Sequence, residues 1–190
     1  MSDPIDTAKS RSRRMLLALA ALFFVPVAAS FVMYYGFNWR PSGGTNHGEL
    51  LQPIRQLPDS AASLRGKWTL FYVGDGACAQ EDCRHALWLA RQTRLALNKD
   101  MLRMHRALFA THDCCDRDYL GKEHEGMQVF DISEPAARAA LLNLLPAGDH
   151  ANDLFIADPL GNIVLRFDVR TDPRGLMDDL KKLLKLSSIG

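Results

Sequence analysis

Residues 68–83 read Trp-Thr-Leu-Phe-Tyr-Val-Gly-Asp-Gly-Ala-Cys-Ala-Gln-Glu-Asp-Cys, and they join two different patterns. The first, at 68–74, is a continuous apolar run, which is typical of a central strand buried on both faces of a sheet. Glycines and then acidic residues follow, which predicts a turn and the first turn of a helix. A thiol at a helix N-terminus is favoured as the thiolate, the form that attacks disulfides and binds soft metals. Cys78 and Cys83 are therefore the first candidates for chemistry.

Strand-like and helix-like patterns alternate through the rest of the chain. The predicted elements are a strand at 68–74, a helix at 80–98, a strand at 101–109, a helix at 135–145 capped by Ser133, a hairpin of 154–157 and 163–167, and a helix at about 173–186. This order is the thioredoxin-like layout of the α/β class, a mixed sheet with flanking helices. We therefore predict a thioredoxin-like domain over residues 67–190.

The N-terminal part has the pattern of a membrane anchor. No charged residue lies between Arg14 and Arg40, and the apolar run at 15–37 is long enough to cross a bilayer. Basic residues concentrate before this run, which by the positive-inside bias places residues 1–14 in the cytoplasm. We expect a single-pass protein of the bacterial inner membrane, with a linker or stalk at 38–66 and the C-terminal domain in the periplasm.

An alternative for the same run is a cleaved signal peptide, with Val27-Ala-Ala-Ser30 as the cleavage site. Aromatic residues at the end of the run and just beyond it, at 34, 35, 37 and 39, favour an uncleaved anchor, because such residues collect at the membrane–water interface. Under both interpretations the domain is exported.

Residues 1–40 carry five basic and two acidic side chains, which leaves 18 basic and 20 acidic side chains for the rest. That charge balance gives no indication of nucleic-acid binding.

These features together resemble the Sco/SenC-type cytochrome oxidase assembly proteins, which are membrane-anchored, thioredoxin-like and copper-binding. One feature is the single anchor with an exported head, and another is the cysteine pair after Leu70-Phe-Tyr-Val73. The third is Gly148-Asp-His-Ala-Asn-Asp-Leu-Phe-Ile-Ala-Asp-Pro-Leu-Gly-Asn162, which looks like the family's Asp-His segment leading into a strand and a turn. The resemblance covers most of residues 67–186.

The resemblance implies a function and a ligand set. It implies that Cys78, Cys83 and His150 bind copper, and two thiolates with an imidazole suit Cu(I). It also implies that the protein assists assembly of the copper centre of cytochrome c oxidase, by copper delivery or by thiol reduction. The implied partner is an oxidase subunit or another copper or thiol protein.

The spacing of the cysteines departs from the family. Family members usually place three residues between them, whereas this chain has four. On a regular helix, three intervening residues put two thiols about 40° apart around the axis, and four put them about 140° apart. A shared metal therefore requires Cys78 to lie outside the helix, on the glycine-rich loop. The alternative is a divergent branch of the family, in which thiol chemistry survives and metal binding is weaker or lost.

Other functions fit the same residues. The pair can be a structural disulfide, which is common in exported domains, or the site of a metal-free thiol:disulfide oxidoreductase. In the latter case Cys78 is the expected nucleophile and Cys83 resolves the mixed disulfide. His150 can instead be an exposed loop residue, and the whole head can act as a non-catalytic factor that docks to the oxidase.

A second cysteine pair, Cys114 and Cys115, follows the second predicted strand. His112, Asp113 and Asp116 lie beside it, so the segment is either a second metal site or a polar surface loop. Four cysteines allow three pairings, which the sequence does not rank.

Overall fold

The computed structural model describes residues 4–36 and 46–187. The chain divides into two compact units, Met1–Gly44 and Thr45–Gly190. The described part of the first unit contains one helix, α1 (Pro4–Tyr35). Its segment Arg13–Tyr35 has a mean hydropathy of 2.5 and is long and apolar enough to span a membrane, which confirms the predicted N-terminal helix. Phe37 and Trp39 of the predicted aromatic cluster lie outside the described residues.

The second unit is built on a mixed sheet. Its strands are β1 (Glu49–Gln56), β2 (Trp68–Asp75), β3 (Met104–His112), β4 (Gln128–Asp131), β5 (Asp153–Ala157) and β6 (Asn162–Asp168). The spatial order is β1-β6-β5-β2-β3-β4. Strands β2, β3 and β4 run parallel, whereas β5, β6 and β1 join antiparallel to their neighbours. The predicted thioredoxin-like class is confirmed.

Helices flank this sheet. They are α2 (Glu81–Ala96), α3 (Arg117–Glu123), α4 (Pro135–Leu142) and α5 (Pro173–Leu186), with 3-10 helices at Asp59–Leu64 and Asn98–Arg103. The predicted hairpin and the helices near 80–98, 135–145 and 173–186 are confirmed, but α3 and β4 were not predicted. The second predicted strand, which is β3 in the structure, begins three residues later than expected, because a 3-10 helix occupies 98–103. The predicted cap of α4 is wrong: Glu134 accepts from the Ala137 N–H, while Ser133 bonds to Asp131.

Strand β2 is buried on both faces, as its continuous apolar run predicts. Leu70 and Tyr72 face the core that α2 and α5 cover, and Phe71 and Val73 face a second core under α4. The Phe71 ring stacks on the Phe155 ring with centroids 5.3 Å apart. The carboxyl end of β2 is thereby held rigidly at the start of the cysteine loop.

The structure corrects the predicted linker over 38–66. Residues 38–45 lie outside the description, but β1 pairs with β6, and Leu57 and Leu64 are buried in the core. The buried Asp179 carboxylate of α5 accepts hydrogen bonds from the N–H groups of His47 and Gly48. Prolines and glycines suggested a linker here, yet proline is compatible with an edge strand. The folded unit therefore already includes the residues that lead into β1.

A buried histidine at the end of α3 makes stability depend on pH. Burial, and then the positive charges of Arg106 and Arg91, lower the pKa of His124 to about 4. The ring Nε2 atom lies 3.2 Å from the Tyr119 hydroxyl. The neutral ring is thus kept in the folded state, while the unfolded chain takes up a proton near pH 6.5.

Because the unfolded state binds this proton first, stability is full above about pH 6.5 and falls as the pH drops toward about 4. Between pH 7.5 and pH 5 we expect a loss of about 2 kcal/mol from this group. His124→Gln should flatten the dependence by that amount, as followed by urea unfolding with tryptophan fluorescence. Parallel curves for the two proteins would contradict the assignment.

Candidate metal and thiol site

The structure brings the two predicted cysteines together. Cys78 lies in the loop between β2 and α2 with a φ of +48°, and Cys83 lies in the first turn of α2. Their sulfurs are bonded, and their Cα atoms are 5.4 Å apart. Both side chains are buried. The loop position of Cys78 is the arrangement that the four-residue spacer requires for a shared site.

Asp75 organises the loop that carries Cys78. Its carboxylate accepts hydrogen bonds from the N–H groups of Ala77 at 2.8 Å and Ala79 at 3.3 Å. The Arg84 guanidinium donates to the Cys78 carbonyl oxygen at 3.1 Å. These bonds fix the loop from both of its ends, so the position of Cys78 is set by side chains of β2 and α2.

The two cysteine-bearing loops pack against each other at Gly76. A Cβ at this position would lie 2.7 Å from the Cys114 Cα atom, so only glycine permits the approach. The Gly76 N–H donates to the His112 carbonyl, and the Gly76 carbonyl accepts from the Asp116 N–H. Cys114 is bonded to Cys115, so the structure pairs each cysteine within its own loop.

His150 lies between α4 and β5, and its ring is held from one side. The Nδ1 atom is 2.9 Å from the Asp153 carboxylate, and the same oxygen accepts from Arg166 Nε at 2.8 Å. Because a carboxylate only accepts, Nδ1 carries the hydrogen, and the lone pair of Nε2 is left for a metal. The side chain is 9% exposed, so it is not the exposed loop histidine of the alternative interpretation.

One pocket joins His150 to the cysteine pair. Cys83 and His150 both line a cavity of about 280 Å³, together with Tyr72, Asp75 and Asp149. Cys78 is not among the lining residues and reaches the pocket only through its bond to Cys83. The pocket therefore offers Cys83 and an imidazole to a visiting ion or thiol.

The pocket is negatively charged. Burial raises the pKa of Tyr72 to about 12, and carboxylates contribute in the same direction, those of Asp82, Asp149, Asp153 and Asp75. The Tyr72 hydroxyl donates to the Ala151 carbonyl at 3.0 Å, which ties β2 to the histidine segment. Burial disfavours either sign of charge, but the contribution of the carboxylates favours a cation, so the electrostatics suit a metal ion more than an anionic substrate.

The second metal site, one of the two alternatives for the segment of Cys114 and Cys115, is not formed around that cysteine pair in the part of the chain that the structure describes. Among the described residues, ligand atoms of His112 and Asp113 group with Asp75, all within 4.8 Å of one another. Asp116 instead caps α3, accepting from the N–H groups of Asp118 and Tyr119. The Cys114 and Cys115 side chains are not part of this group. Asp75 and His112 of this group line the pocket of Cys83 and His150, so the group belongs to that pocket rather than to the second cysteine pair.

Sequence reasoning missed three residues that shape the site, namely Tyr72, Asp153 and Arg166. Asp153 carried a signal, because it follows His150 by three residues at the start of a predicted strand. Tyr72 and Arg166 carried none, because their roles arise from neighbouring strands. In the structure Arg166 of β6 lies opposite Phe155 of β5, which brings it beside Asp153.

Comparisons with known proteins bear on the family and the fold. The family model described as transmembrane-like, thioredoxin-like, C-terminal domain matches residues 68–187. No curated protein matches the sequence.

Solved Sco structures share the fold. Apo Sco1 from Thermus thermophilus has a TM-score of 0.57 and 17% identity, and the alignment covers 76% of this chain and 100% of that one. Copper-bound yeast Sco1 has a TM-score of 0.55 and 16% identity, with coverages of 78% and 96%. Copper-bound ScoI from Bradyrhizobium japonicum has a TM-score of 0.50 and 18% identity, with coverages of 72% and 99%. The protein has the Sco-type thioredoxin-like fold and belongs to the family described as transmembrane-like, thioredoxin-like, C-terminal domain.

Proposed function

We propose that this protein is a membrane-anchored, periplasm-facing factor that assists copper-centre assembly of cytochrome c oxidase. The observation that carries the proposal is the shared pocket of Cys83 and His150, with Cys78 bonded behind Cys83. The copper-bound relatives from yeast and Bradyrhizobium japonicum support the choice of metal. Residues 1–14 would lie in the cytoplasm, and the segment 15–37 would be the anchor.

Copper would be cargo, and the residues present fit it. Reduction of the Cys78–Cys83 bond takes two electrons and two protons from a partner dithiol, which becomes a disulfide. The two sulfurs and the Nε2 atom of His150 then form a set that suits Cu(I). Asp153 orients the imidazole and raises its basicity, while the surrounding carboxylates attract the ion.

Reduction of a target protein's disulfide is the second action open to the same residues. Because Cys83 lines the pocket and Cys78 does not, we infer that the Cys83 thiolate attacks, which reverses the sequence-based assignment of roles. Its attack forms a mixed disulfide and releases one target thiolate. Cys78 then attacks Cys83, which re-forms the Cys78–Cys83 bond and releases the second target thiolate. The target gains two electrons and takes up two protons.

The proposal is tested in the source organism with paired cysteine variants of the full chain. The double variant Cys78→Ser, Cys83→Ser should reduce cytochrome c oxidase activity per membrane protein to near background, because copper delivery and thiol reduction both need these sulfurs. The matched control Cys114→Ser, Cys115→Ser removes the other pair and should retain activity. Full oxidase activity in the Cys78→Ser, Cys83→Ser variant would contradict the proposal, and only the non-catalytic docking role would remain.

A further inference from the structure

A second pocket, which shares no lining residue with the cysteine pocket, is strongly cationic. It encloses about 190 Å³ and is lined by three arginines, a lysine, a leucine and a glutamate: Arg91, Arg94, Arg106, Lys122, Leu95 and Glu125. Four basic side chains thus face one acidic side chain. A cavity of this size holds a group much larger than one water molecule, whose share of liquid volume is about 30 Å³.

Arg106 is the feature that points to a ligand. Its residue is 4% exposed and lies on β3 between Met104 and Leu108, which pack in the core beneath α2. Within residues 4–36 and 46–187 the guanidinium makes one hydrogen bond, from Nη2 to the Glu125 carbonyl at 2.6 Å. Its buried Nε and Nη1 atoms have no partner among the described residues, and no carboxylate there forms an ion pair with it.

The neighbouring cations do not relieve this charge. Burial, followed by the charges of Arg94 and Arg91, lowers the pKa of Arg106 to about 10. Arg94 Nε donates to the Met104 carbonyl, and Arg91 forms an ion pair with the exposed Glu123 carboxylate at 3.6 Å. Buried charges in proteins are normally paired, because an unpaired one carries a large desolvation penalty. An anion in the pocket would supply the missing acceptors for both free nitrogens.

We propose that this pocket binds a phosphate-type oxyanion, with Arg106 at its base and Arg91, Arg94 and Lys122 at its walls. Several guanidinium donors suit the multiple acceptor oxygens of a phosphate group. The group can belong to a free phosphate ester or to a phospholipid headgroup, and the two share this chemistry. The site is independent of the copper proposal, because none of its residues lines the cysteine pocket.

The test uses full-length protein in neutral detergent at constant pH and ionic strength, with phosphate replacing chloride. We expect the melting temperature of the wild-type protein to rise with phosphate concentration, in proportion to the logarithm of that concentration once it exceeds the dissociation constant. Arg91→Gln should raise the phosphate dissociation constant about tenfold or more, because one charge-assisted contact is lost. Arg106→Met should abolish the response while remaining folded, since an apolar chain replaces an unpaired buried charge.

The exposed Arg174 provides the control, because Arg174→Gln removes the same charge elsewhere and should leave the phosphate response unchanged. A second arm compares nanodiscs of phosphatidylcholine with nanodiscs that also contain phosphatidylglycerol. Stabilisation by phosphate identifies a soluble ligand, and stabilisation by phosphatidylglycerol alone identifies a headgroup. The proposal would be overturned if the wild-type protein responded neither to phosphate nor to phosphatidylglycerol. It would also be overturned if the Arg91→Gln and Arg106→Met variants responded as strongly as the wild-type protein.

Discussion

Asp153→Asn is expected to lower the free energy of unfolding by about 3 kcal/mol. The wild-type carboxylate is 2% exposed and is shared by Arg166 and His150. The amide that replaces it carries no charge, so the Arg166 guanidinium loses its buried counterion. The exposed Glu49 carboxylate, 3.6 Å from Arg166, compensates only weakly because solvent screens it.

The same substitution should weaken copper binding about 10–100-fold, because the imidazole loses the group that fixes its ring and tautomer. Unfolding by urea and a copper titration of the reduced protein measure the two effects. Asp168→Asn is the matched control, since Asp168 lies opposite Asp153 on β6 but binds the exposed Arg170. We expect the control to cost less than about 1 kcal/mol. Equal costs for the two variants would show that Asp153 has no special role.

His150→Ala is expected to abolish copper retention while leaving dithiol exchange largely intact. The substitution removes the imidazole that lines the pocket with Cys83 and is oriented by Asp153, whereas His112, which also lines the pocket, groups with Asp75 and Asp113. Two thiolates alone remain, and they suffice for exchange with a disulfide. Because Asp153 keeps its ion pair with Arg166, we expect little loss of stability.

Copper retained after passage through a desalting column and the rate of disulfide exchange measure the two outcomes. His85→Ala serves as the control, because His85 lies on α2, stacks on Trp88 and does not line the pocket. The control should keep its copper. Full copper retention in His150→Ala would show that the assigned ligand set is wrong.

The parts of the fold that the sequence predicts are those whose pattern is local. Strand β2 is a continuous apolar run, and α5 buries Leu176, Leu180 and Leu184 at helical spacing, so each is readable from its own residues. Strand β1 is mostly exposed and contains a proline, so its own pattern does not distinguish it from a linker. Only its pairing with β6 makes it a strand.

In the candidate site, too, some features could be predicted from the sequence and others could not. Cys78, Cys83 and His150 were predicted from residue type, a strand-to-helix junction and a resemblance, and the structure places them at one pocket or bonded to its lining. The order of action that we propose for the cysteines could not be predicted, because the proposal depends on which of the two residues lines the cavity. Arg106 was also missed, since an arginine in an apolar strand pattern reads as an interruption until its burial is seen.

Copper stoichiometry of the reduced full-length protein tests the central claim most directly, measured beside the oxidised protein and the Cys78→Ser, Cys83→Ser variant. We predict about one Cu(I) per chain in the reduced protein. The other two samples should hold no copper, because a disulfide and two hydroxyls lack the thiolates. A reduced protein that binds no copper while its Cys78–Cys83 bond opens and closes readily would contradict a copper role.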